Sequence, residues 1–170
     1  MIRPVVTVLV MMGVSGSGKT TVGERLAHRL GWPFKEGDQL HPRENVASMK
    51  AGRPLTDEDR APWLAAVAAW IDAWRDAGVS GVITCSALKR DYRRLLREGR
   101  PEVRFIYLKG EAALLSQRLA ERRGHFMPAS LLASQFHDLE PPAADEGAIV
   151  VEVDQPVEAQ VKSIIRSLQA

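Results

Sequence analysis

A glycine-rich pattern near the start of this chain limits the folds that it can adopt. Residues 13–20 read Gly-Val-Ser-Gly-Ser-Gly-Lys-Thr, which fits G-x-x-x-x-G-K-[ST] in full. An apolar, β-branched run over 5–12 precedes it, and helical spacing of apolar residues over 20–30 follows. A strand, a glycine-rich turn and a helix in that order gather backbone N–H groups and the positive helix end around an anion. The sequence therefore predicts a nucleotide-phosphate site.

The residues of this phosphate loop have distinct predicted roles. Lys19 supplies a point charge for the β- and γ-phosphates, and we count it as catalytic. The Thr20 hydroxyl suits Mg²⁺, so ATP and Mg²⁺ are the expected cofactors. The predicted nucleotide contacts in the loop are Gly13, Val14, Ser15, Gly16, Ser17, Gly18, Lys19, Thr20 and Thr21.

Strand and helix patterns alternate along the rest of the chain. Further strands are predicted over 32–36, 82–85, 103–108 and 148–153, and further helices over 42–51, 56–77, 88–96, 111–123, 130–139 and 157–168. Thr56, with Asp59 three residues later, is a helix-start signal, and Gly31 and Gly78 are helix stops. This order predicts one α/β domain over 1–170, with five parallel strands in a three-layer arrangement and helices on both faces.

Composition excludes several classes of protein. Lys and Arg number 23 against 21 for Asp and Glu, and this net charge of +2 is too mild to indicate a nucleic-acid partner. Beyond the short run over 5–12 nothing approaches a membrane span, so no membrane partner is expected. The single cysteine forms neither an internal disulfide nor a cysteine-based metal site, which favours a reducing, cytoplasmic setting.

Polar residues after the second predicted strand suggest an acceptor site beside the phosphate loop. Asp38 is placed to orient or deprotonate an acceptor hydroxyl, the alternative being a loop or helix-capping aspartate. His41 is either a substrate ligand or a structural histidine. Arg53 and Arg60 are candidates to clamp a carboxylate, the alternative being a solvated surface.

The end of the third predicted strand adds further candidates. Ser86, Lys89 and Arg90 follow the third strand and bring a hydroxyl and two cations to the same edge. Cys85 lies within the apolar strand and is interpreted as a core residue rather than a nucleophile.

The later part of the chain suggests a group of residues that contact the nucleotide, and a lid over about 122–139. Arg118 and Arg122 share a helix face and are predicted to stabilise the transferring phosphoryl group, the alternative being arginines that compensate the helix dipole. His125, in the following loop, joins the expected substrate contacts. The last strand is followed by three residues expected to pack on the nucleotide base, namely Asp154, Gln155 and Pro156.

Seven sequence blocks together resemble one known family, and they occur in the family's order over nearly the whole chain. They are MGVSGSGKT at 12–20, GDQLHP at 37–42, PLTDEDRAPWL at 54–64, CSALKRDYR at 85–93, FIYLKG at 105–110, RGHF at 123–126 and VDQP at 153–156. The chain resembles gluconate kinases of the bacterial thermoresistant type. That resemblance implies a shikimate-kinase-like phosphate-loop kinase fold with a helical lid. It also implies ATP-dependent phosphorylation of D-gluconate on its terminal hydroxyl, and a homodimer.

Three other functions are weighed against this expectation. A kinase of the same fold acting on shikimate or a nucleotide is distinguished by acceptor turnover. A nucleotide-binding regulator would not need the lid arginines or the polar acceptor side. A nucleic-acid 5′-end kinase is disfavoured by the +2 net charge and by the lack of a basic and aromatic stripe.

Overall fold

The structure is a computed structural model, and it describes residues 5–121 and 130–170. Its helices are arranged around a single parallel sheet. The strand order is β2-β3-β1-β4-β5, and every neighbouring pair is parallel. The strands are β1 (Val8–Met12), β2 (Phe34–Lys35), β3 (Gly81–Thr84), β4 (Val103–Lys109) and β5 (Ile149–Glu152). The predicted five-stranded parallel sheet is therefore confirmed.

Helices cover both faces of this sheet. They are α1 (Lys19–Leu30), α2 (Arg43–Lys50), α3 (Asp57–Ala77), α4 (Arg90–Arg97), α5 (Ala112–Glu121), α6 (Ser130–Asp138) and α7 (Val157–Gln169), with 3-10 turns at Gly37–Leu40 and Ala144–Glu146. Residues from α1, α5 and α7 form one apolar core, and residues from α3 and α4 form the other. No helix within the described ranges is long and apolar enough to cross a bilayer.

The central strand β1 shows why the first apolar run folds as it does. Its five residues are all buried, and they alternate between the two cores. Leu9 and Met11 pack on the α1 side, whereas Val8 and Val10 pack on the α3 side. The predicted strand began three residues too early, because Val5 is 89% exposed and lies outside the ladder.

Local signals set the helix ends as predicted. The Thr56 hydroxyl accepts a hydrogen bond from Asp59 N at 3.0 Å, and the Asp59 carboxylate accepts one from Thr56 N at 2.9 Å. Gly31 and Gly78 end α1 and α3 with φ of 71° and 70°, a left-handed conformation that favours glycine. β2 is shorter than the predicted strand 32–36, because its pairing with β3 begins at Phe34 and ends at Lys35.

A buried arginine on α4 holds the loop after β3 in place. The Arg93 guanidinium is 2% exposed, and its Nε lies 2.6 Å from Glu146 Oε1. Its Nη1 donates to the Ala87 carbonyl at 2.8 Å and its Nη2 to the Glu140 carbonyl at 2.8 Å. Ala87 has φ of 46°, a strained conformation for a residue with a side chain. Arg93 therefore joins α4, the loop after β3 and the 3-10 turn before β5.

Replacing Arg93 tests how much this buried cation stabilises the fold. Arg93→Met should lower the free energy of unfolding by about 3 kcal/mol or more, because the Glu146 carboxylate, which is only 11% exposed, would lose the cation that pairs with it. Urea denaturation followed by circular dichroism measures the change. Arg94→Met is the matched control on the same helix, since Arg94 is 70% exposed and 3.6 Å from Asp91, and its cost should stay within about 0.5 kcal/mol. Equal losses for the two variants would contradict this account.

Candidate active site

The carboxyl ends of three neighbouring strands meet at one edge of the sheet, and a cleft opens there. β1 leads into the phosphate loop, β2 into the 3-10 turn at Gly37–Leu40, and β3 into the segment with Cys85 and Ser86. The cleft measures about 550 Å³ and is open to solvent. Its lining residues are Ser15, Lys19, Asp38, His41, Met49, Pro54, Leu55, Arg60, Trp63, Ser86, Leu88, Leu131, Ser134 and Gln135.

The phosphate loop has the geometry that its glycines predict. Gly16 and Gly18 have φ of 81° and 96°, and α1 begins immediately afterwards at Lys19. At Gly13 a Cβ would lie 2.9 Å from the Leu108 carbonyl oxygen, so the loop passes too close to β4 for a side chain. Lys19 Nζ donates to the Gly13 and Val14 carbonyls at 3.0 Å each. The ammonium group is therefore held directly over the loop.

A carboxylate that the sequence reasoning missed joins this loop to the rest of the cleft. Glu36 accepts hydrogen bonds from the hydroxyls of Thr20 and Thr84. The Thr84 hydroxyl in turn accepts one from Gly37 N at 2.9 Å. Sequence reasoning treated Glu36 only as the last residue of a strand. The available signal was an acidic residue two positions before Asp38, at the strand edge where ligands bind.

Gly37 allows the backbone after β2 to lie directly against the end of β3. An ideal Cβ at Gly37 would lie 1.8 Å from the Thr84 carbonyl oxygen, a distance no side chain can occupy. The Gly37 carbonyl accepts a hydrogen bond from Trp63 Nε1 at 2.9 Å. Asp38 follows directly and lines the cleft, so its position depends on this tight backbone contact.

Arg60 lines the cleft, and two hydrogen bonds that it donates to neighbouring side chains fix its orientation. It is 8% exposed, which is unusual for a cation and indicates paired contacts. Its Nη1 donates to Tyr92 Oη at 2.8 Å, and its Nη2 lies 2.9 Å from Asp138 Oδ2 on α6. A buried guanidinium with a fixed orientation is suited to bind a carboxylate.

His41 also lines the cleft, where it is stacked on an indole. Its ring lies 4.1 Å from the Trp63 ring with 15° between the planes. Burial, and secondly the positive charge of Arg60, lower the pKa of His41 to about 4. The imidazole is therefore neutral near pH 7, and it contributes hydrogen bonding rather than charge.

Three of the predicted substrate residues are not brought to the cleft lining. Lys89 lies 2.8 Å from Asp57 at the start of α3. Arg90 pairs with Asp145 in a separate groove along α4, because it is the first residue of that helix and extends toward the 3-10 turn before β5. Arg53 is exposed and outside the lining, although Pro54 next to it is inside. Two more predicted residues, Arg122 and His125, lie outside the described residues.

A second pocket, with about 910 Å³ of space that includes open solvent, also borders the phosphate loop. It brings together several predicted nucleotide contacts and three residues that were not predicted, Val22, Val157 and Gln160. The lining is Gly16, Ser17, Gly18, Thr21, Val22, Arg118, Gln155, Pro156, Val157 and Gln160. Arg118 Nη2 donates to the Val153 carbonyl at 2.8 Å, which fixes Arg118 beside the last strand. Asp154 is not among the lining residues.

Two buried atoms show that this pocket fits a polar ligand. Ser17 Oγ and Gln160 Oε1 are buried without a hydrogen-bond partner among the described residues. Both residues line the pocket, and buried polar atoms normally find partners. A phosphate-bearing nucleotide fits this combination of glycine-rich backbone, unsatisfied polar atoms and a nearby arginine. Within the described ranges, no three or more His, Cys, Asp or Glu side chains are grouped to hold a metal ion.

Comparison with known proteins places this geometry in context. The sequence profile described as shikimate kinase matches residues 15–168. A gluconokinase of Gluconobacter oxydans strain 621H is 51% identical over 162 residues, covering 95% of this chain and 91% of that protein. The thermoresistant gluconokinase of Escherichia coli K12 is 47% identical over 163 residues, covering 95% and 93%. A crystal structure of a gluconokinase from Sinorhizobium meliloti 1021 superposes with a TM-score of 0.87 at 45% identity, over 98% of this chain and 94% of that one.

The fold and the phosphate loop together define a class of protein, the phosphate-loop kinases with a shikimate-kinase-like fold. This class uses a nucleotide as phosphoryl donor. Within it, identity of about half the residues over nearly the full length of both chains is decisive, and the chain belongs to the gluconokinase family. The fold class and the family resemblance predicted from the sequence are both confirmed.

The buried thiol next to the cleft gives a simple test of the site's packing. Cys85 is 1% exposed, and burial raises the pKa of its thiol to about 12. Because the thiolate is the nucleophile, the folded protein should not react with iodoacetamide between pH 7 and 9. Mass spectrometry should show no adduct on the native chain and one adduct per chain in denaturant, where the single cysteine is free to ionise. A stoichiometric adduct on the folded protein would contradict the core assignment.

Proposed function

We propose that this protein is an ATP-dependent gluconokinase that phosphorylates D-gluconate on its terminal hydroxyl to give 6-phospho-D-gluconate. The observation that carries the proposal is one cleft in which Lys19 of the phosphate loop meets a carboxylate, an imidazole and a guanidinium. A polyhydroxylated acid needs a cation for its carboxylate and polar groups for its hydroxyls, and this cleft supplies both. Close relatives named gluconokinases support the choice of acid.

Arg60 is the residue we assign to the substrate carboxylate. Tyr92 and Asp138 each accept one hydrogen bond from it, which orients the guanidinium without using all of its N–H donors. The fork of donors matches the two oxygens of a carboxylate. His41 and Ser86, which line the same cleft, are assigned to the hydroxyl groups of the chain.

Asp38 is the residue we assign to the acceptor hydroxyl. ATP, when bound, supplies the phosphoryl group that is transferred. The Asp38 carboxylate orients the terminal hydroxyl and accepts its proton as the new oxygen–phosphorus bond forms and the bond to the leaving ADP breaks. Lys19 holds the phosphate oxygens during the transfer. Phosphoryl transfer requires little proton abstraction, so orientation is the larger part of the role of Asp38.

Thr20 is the residue we assign to Mg²⁺. Its hydroxyl donates a hydrogen bond to Glu36, so the oxygen lone pairs remain for the cation. Glu36 adds a negative charge beside this position, which favours a divalent cation there. Sequence alone suggested only the hydroxyl, and the carboxylate behind it strengthens the assignment.

The lid over about 122–139 remains part of the proposal. Within the described residues α6 lies on the phosphate loop, where Gln135 accepts a hydrogen bond from Ser15 N at 2.6 Å. Arg118, which lines the second pocket, is assigned to the nucleotide with Gln155 and Pro156. Closure of the lid would exclude water and limit wasteful hydrolysis of ATP. Arg122, His125 and Asp154 keep their predicted roles as hypotheses.

We further propose a single kinase domain that acts as a homodimer in the cytoplasm. The family resemblance supports the dimer, and the single cysteine supports a reducing compartment. Of three tryptophans at helical spacing on α3, Trp63 is in the core, whereas Trp70 is 37% exposed and is the candidate for a subunit contact. Sedimentation velocity would test the dimer directly.

The acceptor is tested by ADP release from Mg·ATP with the purified protein. D-Gluconate should stimulate release strongly, because the cleft supplies a cation for its carboxylate and polar groups for its hydroxyls. Shikimate or a nucleoside monophosphate should not stimulate it. Lys19→Met should abolish the stimulated rate. An intact nucleotide site with no response to gluconate would overturn the proposed substrate.

The carboxylate clamp is tested by two conservative arginine variants. Arg60→Lys keeps the charge but loses the fork, so the KM for gluconate should rise at least about tenfold while the KM for ATP stays within about twofold. Arg53→Lys should leave both KM values within about twofold, since Arg53 is exposed and outside the lining. Steady-state kinetics with each substrate varied separately measures both effects. A raised KM for gluconate in Arg53→Lys, with no change in Arg60→Lys, would show that Arg53 binds the substrate carboxylate instead.

A further inference from the structure

His41 is held in the cleft by contacts on its ring face and on one ring nitrogen. The ring stacks on Trp63 at 4.1 Å, and the Trp63 indole is itself anchored by donating to the Gly37 carbonyl at 2.9 Å. His41 Nδ1 lies 3.2 Å from Nδ2 of Asn45, which is four residues later in the first turn of α2. Position and rotation of the imidazole are therefore both restricted, and Nε2 is the nitrogen that remains for a ligand in the cleft.

The orientation of the Asn45 amide is settled by a backbone group. Asn45 Nδ2 lies 2.7 Å from the Asp59 carbonyl oxygen, and a backbone carbonyl only accepts hydrogen bonds. The atom at that position is therefore the amide nitrogen. Its second hydrogen is directed to His41 Nδ1. Nδ1 consequently acts as an acceptor and carries no hydrogen, which leaves the hydrogen of the neutral ring on Nε2.

We propose that Asn45 is a positioning residue that fixes His41 as the neutral Nε2–H tautomer, so that His41 donates a hydrogen bond to an oxygen of the acid substrate. Asn45 is 5% exposed and acts through His41 rather than by touching substrate. The inference rests on the proposed function only for the identity of the substrate. The tautomer itself follows from contacts within the protein.

This arrangement gives the cleft a hydrogen-bond donor, His41 Nε2–H, that is present throughout the pH range near neutrality. Protonation of His41 would set an Nδ1–H against the amide hydrogens of Asn45 and would add a second cation beside Arg60. The lowered pKa of His41 agrees with this, since burial and Arg60 both disfavour the imidazolium. Among the described residues, the other charged groups that line the cleft with His41 are Asp38 and Lys19. Binding of a substrate oxygen then depends on the position of the His41 ring and not on a change in its protonation state.

The tautomer is measured directly by nitrogen-15 NMR of the wild-type protein. Long-range proton–nitrogen correlations distinguish the protonated from the unprotonated ring nitrogen, and His41→Gln identifies the His41 signals among the four histidines. The expected result is Nε2–H with a bare Nδ1 from pH 6 to 8, without substrate. An Nδ1–H tautomer, or an exchanging mixture of the two, would overturn the proposal whatever the substrate is.

Asn45→Asp tests the consequence for binding. A carboxylate only accepts hydrogen bonds, so it would place the hydrogen of the neutral ring on Nδ1 and remove the Nε2–H donor. At pH 8 the KM for gluconate should rise about tenfold, with the KM for ATP unchanged. The same carboxylate raises the pKa of His41, and the imidazolium again carries an Nε2–H. The KM for gluconate should therefore fall back toward the wild-type value as the pH is lowered to 6.

Gln39→Glu is the matched control for this variant. It makes the same amide-to-acid change on the neighbouring 3-10 turn, where Gln39 is exposed and accepts from Lys35 Nζ at 3.1 Å. Its KM for gluconate should follow the wild-type pH profile. A pH-independent KM in Asn45→Asp, or the same profile in both variants, would contradict the role of Asn45. If NMR shows the Nε2–H tautomer but gluconate is no substrate, the proposed function fails and the assignment of the tautomer stands.

Discussion

The cleft depends on one carboxylate, that of Glu36, and on the glycine beside it. Glu36 accepts hydrogen bonds from Thr20 at the start of α1 and from Thr84 at the end of β3. These hydroxyls belong to the two elements that border the phosphate loop and the acceptor side. Gly37 then fits against the Thr84 carbonyl, where no Cβ has room. The phosphate loop and the acceptor side of the site are thus held in a fixed relative position by the few contacts of Glu36 and Gly37.

The charged and polar groups of the site share one property, which is that protein atoms orient them before any ligand binds. Lys19 is held by two loop carbonyls, and Arg60 by a phenol and a carboxylate. His41 is restricted by an aromatic stack and an amide. Groups that are already oriented need little reorganisation when charge develops during transfer. Preorganisation of this kind explains why so many side chains around a small cleft are themselves buried or bonded.

Sequence reasoning predicted the fold and part of the site, for identifiable reasons. The buried strand β1, the phosphate loop and the caps at Thr56 and Gly78 are local patterns, and each has one physical interpretation. Asp38 and Ser86 were found because the ends of parallel strands meet at one edge. Lys89 and Arg90 follow the same rule, yet their side chains pair with Asp57 and Asp145 away from the lining. Strand order fixes where a backbone segment lies, but side-chain direction depends on distant partners.

The residues that were missed share this dependence on distant contacts. Glu36 acts through Thr84, and Asn45 acts through the carbonyl of Asp59, partners that no local pattern reveals. Gln160 lines the second pocket from α7, far along the chain from the phosphate loop. Motif spacing therefore identified groups expected to touch ligands, whereas the groups that position them required the folded structure.

A crystal structure with D-gluconate and a non-hydrolysable ATP analogue tests the central claim most directly. We expect the substrate carboxylate on the Arg60 guanidinium and the terminal hydroxyl within hydrogen-bond distance of the Asp38 carboxylate, facing the γ-phosphate. The reverse orientation, with the substrate carboxylate beside Asp38, would contradict it, as would gluconate bound outside this cleft.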